Sequence, residues 1–167
     1  MALVSSVLSS GLLAMVPTPL EATAITNFTN AWGAYFAGAS VSGVPVGSLA
    51  AAKSAMQSAL AGMSVANAGP AKIQAGITAF WGVIVANGPA LWVLAPSVIT
   101  IVAPPSTLSG IASALTSIFA TNAADPTKTI AQATNAIATV LHANGGLGGI
   151  ATVQPPPVAP AVPTPIL

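Results

Sequence analysis

The chain has 167 residues, 54% of them hydrophobic, yet carries only Lys53, Lys72 and Lys128 against Glu21 and Asp125, with no Arg and no Cys. Charged residues make up 3%, where an ordinary globular domain has about 25%. That excludes disulfides, thiolate chemistry and cysteine metal sites. It also argues against nucleic acid as a partner, because three scattered lysines cannot neutralise a run of phosphates.

Taken in chain order, the apolar spacing predicts a mainly α protein: a compact bundle of about six short helices joined by Gly/Pro-rich loops. The chain divides into a single helical domain over 1–150 and a proline-rich C-terminal tail over 151–167. In the first helix Leu3, Val4, Val7, Leu8, Leu12, Met15 and Val16 recur at helical spacing, and Pro17 stops it. The opening segment lacks the positive region of a signal peptide and is read as structure. "TPLE" then reads as a capping box, with Thr18 as N-cap, Pro19 at the first helical position and Glu21 three residues after the cap. The second helix lines up Ile25, Phe28, Trp32, Tyr35 and Phe36 and fades near Gly38. "ASVSGVPVGS" is a loop.

A third helix carries Leu49, Met56, Leu60 and Met63 on one face. Asn67, Gly69 and Pro70 break the chain and restart it, and the fourth helix aligns Ile73, Ile77, Phe80, Trp81 and Ile84. From 87 to 105, "LWVLAPSVITIVA" sets β-branched runs between prolines. Over 91–103 this fits a short extended segment, and a broken helix fits it as well. Ser106 is the expected cap of a fifth helix bearing Ile111, Leu115, Ile118 and Phe119. Asp125-Pro126 starts a sixth with Ile130, Ile137, Val140 and Leu141, and "GGLGG" at 145–149 reads as a hinge.

Residues 73–124 carry no charge, which raises the question of a membrane. A bilayer span needs about 20 continuous apolar residues, and Asn87-Gly88-Pro89, Pro96 and Pro104-Pro105 cut this stretch into shorter pieces. Membrane association or pore formation is therefore the alternative reading, behind burial against protein.

The residues that could carry chemistry are few. His142 is the one imidazole, at the end of the last helix, where a helix C-terminus stabilises its charge. No G-x-S-x-G elbow is present. A zinc site wants three or four ligands, and His142, Glu21 and Asp125 would be the whole supply. The expectation is a protein that is not an enzyme, with no cofactor and no metal.

The tail, "QPPPVAPAVPTPIL", favours polyproline II or extended conformation and loses little entropy on docking. It reads as a strap gripped by another chain or by its own domain. Pro155, Val158, Val162, Pro165, Ile166 and Leu167 are its candidate interface residues, joined by Trp92, which lies outside a clear helix.

With "MALV" at the start, "AAKSAMQSAL", "AFW" on a later helix and "PIL" at the end, the chain resembles a group of Ala-rich proteins encoded among the structural genes of tailed phages and prophages, often contractile-tailed ones. The likeness lies in composition and segment order, and the long proline tail departs from the group's shorter ending. It implies a virion component of the tail, baseplate or neck, with copies of itself and other structural proteins as partners, and carries over no functional residues. The expected function is thus that of a structural subunit located in a virion particle, packing its uncharged faces against neighbours.

Overall fold

The computed structural model describes residues 3–14, 20–65, 67–94, 97–154 and 162–166. Among them are seven α-helices, six of seven residues or more, and only short strands. α1 is Ser5–Leu13, α2 Glu21–Phe36, α3 Ala50–Leu60, α4 Gly69–Ala86, α5 Gly88–Leu91, α6 Ile111–Ala124 and α7 Ile130–Leu141. The mainly helical architecture matches the periodicity.

α4 is the central element. Its Ile73, Ile77, Phe80, Trp81 and Ile84 form one stripe at i, i+4, i+7, i+8 and i+11, all buried. α3 and α6 pack on it, α1 packs on α2 and α7, and α2 also meets α3. The aromatic side chains interlock where α2 meets α4. Phe36 stands edge-on to Phe80 (centroids 5.0 Å apart) and to Trp81 (5.1 Å), and Trp32 edge-on to Phe80 (6.2 Å). T-shaped pairs of this kind add about 0.5–1.5 kcal/mol each beyond the area they bury.

Helix starts differ from expectation. Thr18 and Pro19 lie outside the described residues. α2 begins at Glu21 with Leu20 as N-cap and no side-chain cap. The Glu21 carboxylate instead accepts hydrogen bonds from the Gly62 N–H and the Ser64 hydroxyl, tying the start of α2 to the α3–α4 connection. Ser106 does not cap α6 either, because a 3₁₀ turn at Leu108–Gly110 intervenes and Gly110 is the N-cap. Asp125 folds back on its own chain, accepting from the Thr127 N–H (3.0 Å) and hydroxyl (2.6 Å). The helix after it starts with a true capping box: Thr129 Oγ1 accepts from the Gln132 N–H (3.2 Å) and Gln132 Oε1 from the Thr129 N–H (2.9 Å). The T-x-x-Q signal was present in the sequence. Ile130 just inside it is exposed, so the buried stripe of α7 is Thr134, Ala138 and Leu141.

β structure appears in the loop after α2 and in the stretch that suited either a strand or a broken helix. Within the loop after α2, β1 (Ser40–Val41) and β2 (Val44–Pro45) form a small hairpin. Its two turn residues, Ser42 and Gly43, have φ of 49° and 80°, the double positive φ that a two-residue turn needs to match strand twist. The ambiguous stretch near 91–103 resolves into α5, β3 (Val93–Leu94) and β4 (Ser97–Ala103). β5 (Ile150–Gln154) and β6 (Val162–Pro165) complete a four-stranded antiparallel sheet, ordered β3-β4-β5-β6. The point where the sequence reading divides domain from tail falls at the start of β5, which pairs Ile101 with Ala151 and Ile99 with Val153. On the inner face Ile99, Ile101 and Ala151 are buried in the same core as the helices. Val98, Thr100, Ile150 and Gln154 line the open outer face.

No described helix is long and apolar enough to cross a membrane. Within the uncharged 73–124 stretch, α4, α5, β4 and α6 each place side chains in one core.

Candidate functional site

Tyr35 near the end of α2 and His142 just after α7 are brought together from opposite ends of the chain. α2 buries Tyr35 because its neighbours Trp32 and Phe36 occupy the same stripe. α7 ends by widening into a π turn, His142–Gly146, in which the Leu147 N–H donates to the His142 carbonyl (3.1 Å). π turns of this sort redirect side chains and are frequent at functional positions.

The Tyr35 hydroxyl lies 2.7 Å from His142 Nδ1, with the rings edge-on at 5.7 Å. Burial pushes the phenol well above its ordinary pKa and the imidazole below its own. Both groups are therefore neutral at pH 7, and which of them donates follows from the imidazole tautomer. Neither residue lines the groove between the α3–α4 connection and α6 or the two smaller grooves beside α3 and α2. The contact ties the π turn to α2.

The same turn explains "GGLGG". It is not a hinge. Gly145, Gly146 and Gly149 are buried, and a Cβ on Gly146 would overlap Tyr35 Oη and come within 2.7 Å of its Cζ. The Gly145 carbonyl accepts the indole N–H of Trp81 at 2.7 Å. These close approaches link residues more than sixty positions apart, a pairing that no local pattern reveals; a glycine cluster directly after a helix was the available signal.

The lowered His142 pKa has a consequence for stability. As pH falls below the ordinary imidazole value of about 6.5, the unfolded chain takes up a proton before the folded chain does. The stabilisation is complete above that value and is lost as pH drops towards the depressed folded value. Glu21 and Asp125, held below the usual carboxylate range first by their side-chain hydrogen bonds to Ser64 and Thr127, act only below about pH 4.5. The urea midpoint should accordingly be lower at pH 5.5 than at pH 7.5, and His142→Gln should flatten that difference. Equal midpoints at the two pH values in the parent protein would rule this out.

The remaining candidate residues are dispersed. His142, Glu21 and Asp125 do not converge, and among the described residues no group of three His, Cys, Asp or Glu could hold a metal ion. Trp92 is 1% exposed and Ile166 2%, so both fill this chain's own core, which corrects their assignment to an intermolecular surface. The Trp92 indole nitrogen is buried without a hydrogen-bond partner. Pro165 is exposed in β6, and Val162 contributes its backbone to the same strand. Pro155, Val158 and Leu167 lie outside the described residues.

What the surface offers is apolar. Val93 is 73% exposed, Leu20 66% and Val65 62%, and Val98 and Ile150 add to Val93 on the outer face of the sheet. A groove of about 560 Å³ runs between the α3–α4 connection and α6, lined by Met63, Val65, Pro70, Phe119 and Ala120 among others. No family model, curated protein or solved structure matches the chain.

Proposed function

We propose that the chain is a structural subunit of a large protein assembly, non-enzymatic, acting by packing uncharged faces against copies of itself and against other structural proteins. The observation that carries this reading is the surface: three lysines and two carboxylates serve the whole chain, while large apolar side chains such as Val93, Leu20, Val65 and Ile130 stand in solvent. A solvated monomer normally keeps a mixed charged surface and few exposed large apolar residues. Burying such faces contributes about 25 cal/mol per Å² of apolar area, with few charges to make association sensitive to salt. The phage virion setting, in the tail, baseplate or neck, is part of the same proposal and rests on the resemblance in segment order. Antibody labelling of purified particles tests it.

The experiment for assembly itself is light scattering of the untagged protein in detergent-free buffer across a dilution series. A defined oligomer or larger particle that persists on dilution is expected. A monomer at every concentration would overturn self-association, and recovery only in detergent would favour membrane association instead.

A further inference from the structure

Lys53, Lys72, Lys128, Glu21 and Asp125 all lie on helices or on the connections between them, and β3 to β6 carry no charged side chain. The sheet turns one face into the core, with Ile99, Ile101 and Ala151, and the other outward. On that outer face the register places Val93 beside Val98 and Gln154, Thr100 beside Thr152, and Ile150 beside Pro165. Val93, Val98 and Ile150 are exposed, so large apolar side chains flank a central pair of threonines.

Neither edge of this sheet favours a further strand. β6 forms one edge. The Ile166 N–H that follows it donates to the Gly149 carbonyl (3.1 Å). The Ile166 side chain fills a socket that exists because residue 149 is glycine: a Cβ there would come within 2.6 Å of Trp81 Cη2 and 2.9 Å of Ile166 Cδ1. Since the Ile166 N–H points to β5, alternation turns the nitrogens of Pro163 and Pro165 outward, where neither has a proton to donate. At the other edge β3 is two residues long, and beyond it α5 closes on β4, where a Cβ on Gly88 would come within 2.8 Å of the Ile101 nitrogen. Pairing edge to edge is therefore disfavoured while the face stays open.

Charge and area decide what fits that face. A partner surface of ordinary composition would bring charges that the face cannot pair, and burying them unpaired is costly. The covering surface must be uncharged over the same area. A lipid surface is held by basic and aromatic anchors, and the described residues of the outer face include neither. A second copy of the face meets the condition, and two antiparallel sheets of like twist stack about 10 Å apart with strands about 30° from parallel. Strands of two, seven, five and four residues, at about 3.3 Å per residue and 4.8 Å spacing, present roughly 300 Å². A stable isolated dimer covers about 800 Å² per partner. This contact is weak alone and holds where an assembly supplies further contacts.

We propose that the outer face of the β3–β6 sheet packs against the same face of a second copy, in a two-fold contact centred on Thr100 and Thr152. This rests on the assembly reading above and specifies one contact by which copies hold one another.

Across a two-fold axis the centre of the face meets its own copy. Thr100→Lys and Thr100→Glu therefore each set like charges against each other, and a mixture of the two sets opposite charges together. Light scattering at equal concentration should give each variant about half the parent's mass or less, and the mixture should regain most of it. Thr100 is exposed, so urea midpoints close to the parent's are expected. The same pair of substitutions at Thr152, its cross-strand partner, repeats the test should either variant fold poorly. Parent-like mass for both charged variants would overturn the sheet contact and leave the assembly reading standing. Loss of mass without recovery on mixing would overturn contact between like faces. Binding of the parent to phosphatidylcholine vesicles, abolished by either charge, would put lipid on the face and overturn the contact as well. A parent that is monomeric at every concentration would overturn both the contact and the assembly reading.

Discussion

Replacing Gly146 by alanine is expected to remove most of the protein's stability. The new Cβ would overlap Tyr35 Oη and sit 2.7 Å from Cζ, a clash that no rotamer change can relieve in a residue only 1% exposed. Overpacking costs about 1–3 kcal/mol where the surroundings can give, and more where they cannot. Here the ring is held by Trp32 at 5.2 Å and by His142, so about 3 kcal/mol or more is expected, with roughly 1 kcal/mol added if the Tyr35–His142 hydrogen bond is lost. Folded domains have about 5–15 kcal/mol in total. The check is a urea titration of Gly146→Ala, Tyr35→Phe and the double variant. Tyr35→Phe removes the nearest clashing atom and leaves Cζ, so the double variant should recover part of the loss. A parent-like midpoint for Gly146→Ala would mean that the π turn does not pack on α2 as described.

Truncating Trp81 to alanine should be comparably damaging. Its side chain is 0% exposed, stands edge-on to Phe36, covers Gly149 and donates to the Gly145 carbonyl. Removing a large buried aromatic costs about 3–5 kcal/mol. Trp81→Phe separates the two contributions: much of the packing stays, while the Gly145 carbonyl loses its donor, a penalty of about 1–3 kcal/mol. The expected order of urea midpoints is parent, then Trp81→Phe, then Trp81→Ala. Because Trp81 also walls the Ile166 socket, the alanine variant should loosen β6, seen as faster amide exchange at Ile166 than in the phenylalanine variant. Equal midpoints for the two variants would show that the indole hydrogen bond and the remaining ring contribute nothing separable.

The helices were legible because their signal is local. Ile73, Ile77, Phe80, Trp81 and Ile84 repeat with the period of the helix that buries them, and Met56 and Leu60 do the same on α3. The stretch 91–103 stayed ambiguous for a physical reason: a short apolar run between prolines suits a strand or a broken helix until a partner strand is known, and that partner, β5, lies some fifty residues downstream. Capping was misread where two signals competed. Glu21 had a local role open to it and took a distant one, at Gly62 and Ser64, whereas Thr129 and Gln132 satisfied each other.

By itself, then, the sequence determined the mainly helical class, the apolar stripes and an uncharged surface, since these follow from residue type and spacing of a few positions. Only the tertiary structure decided that the glycine cluster is packed, that Tyr35 meets His142, that Trp92 and Ile166 are core residues, and that Val162–Pro165 pair with β5. Each of those depends on which surfaces meet across the chain, and such meetings are set by the packing of the whole core, where one buried ring or one missing Cβ decides what fits.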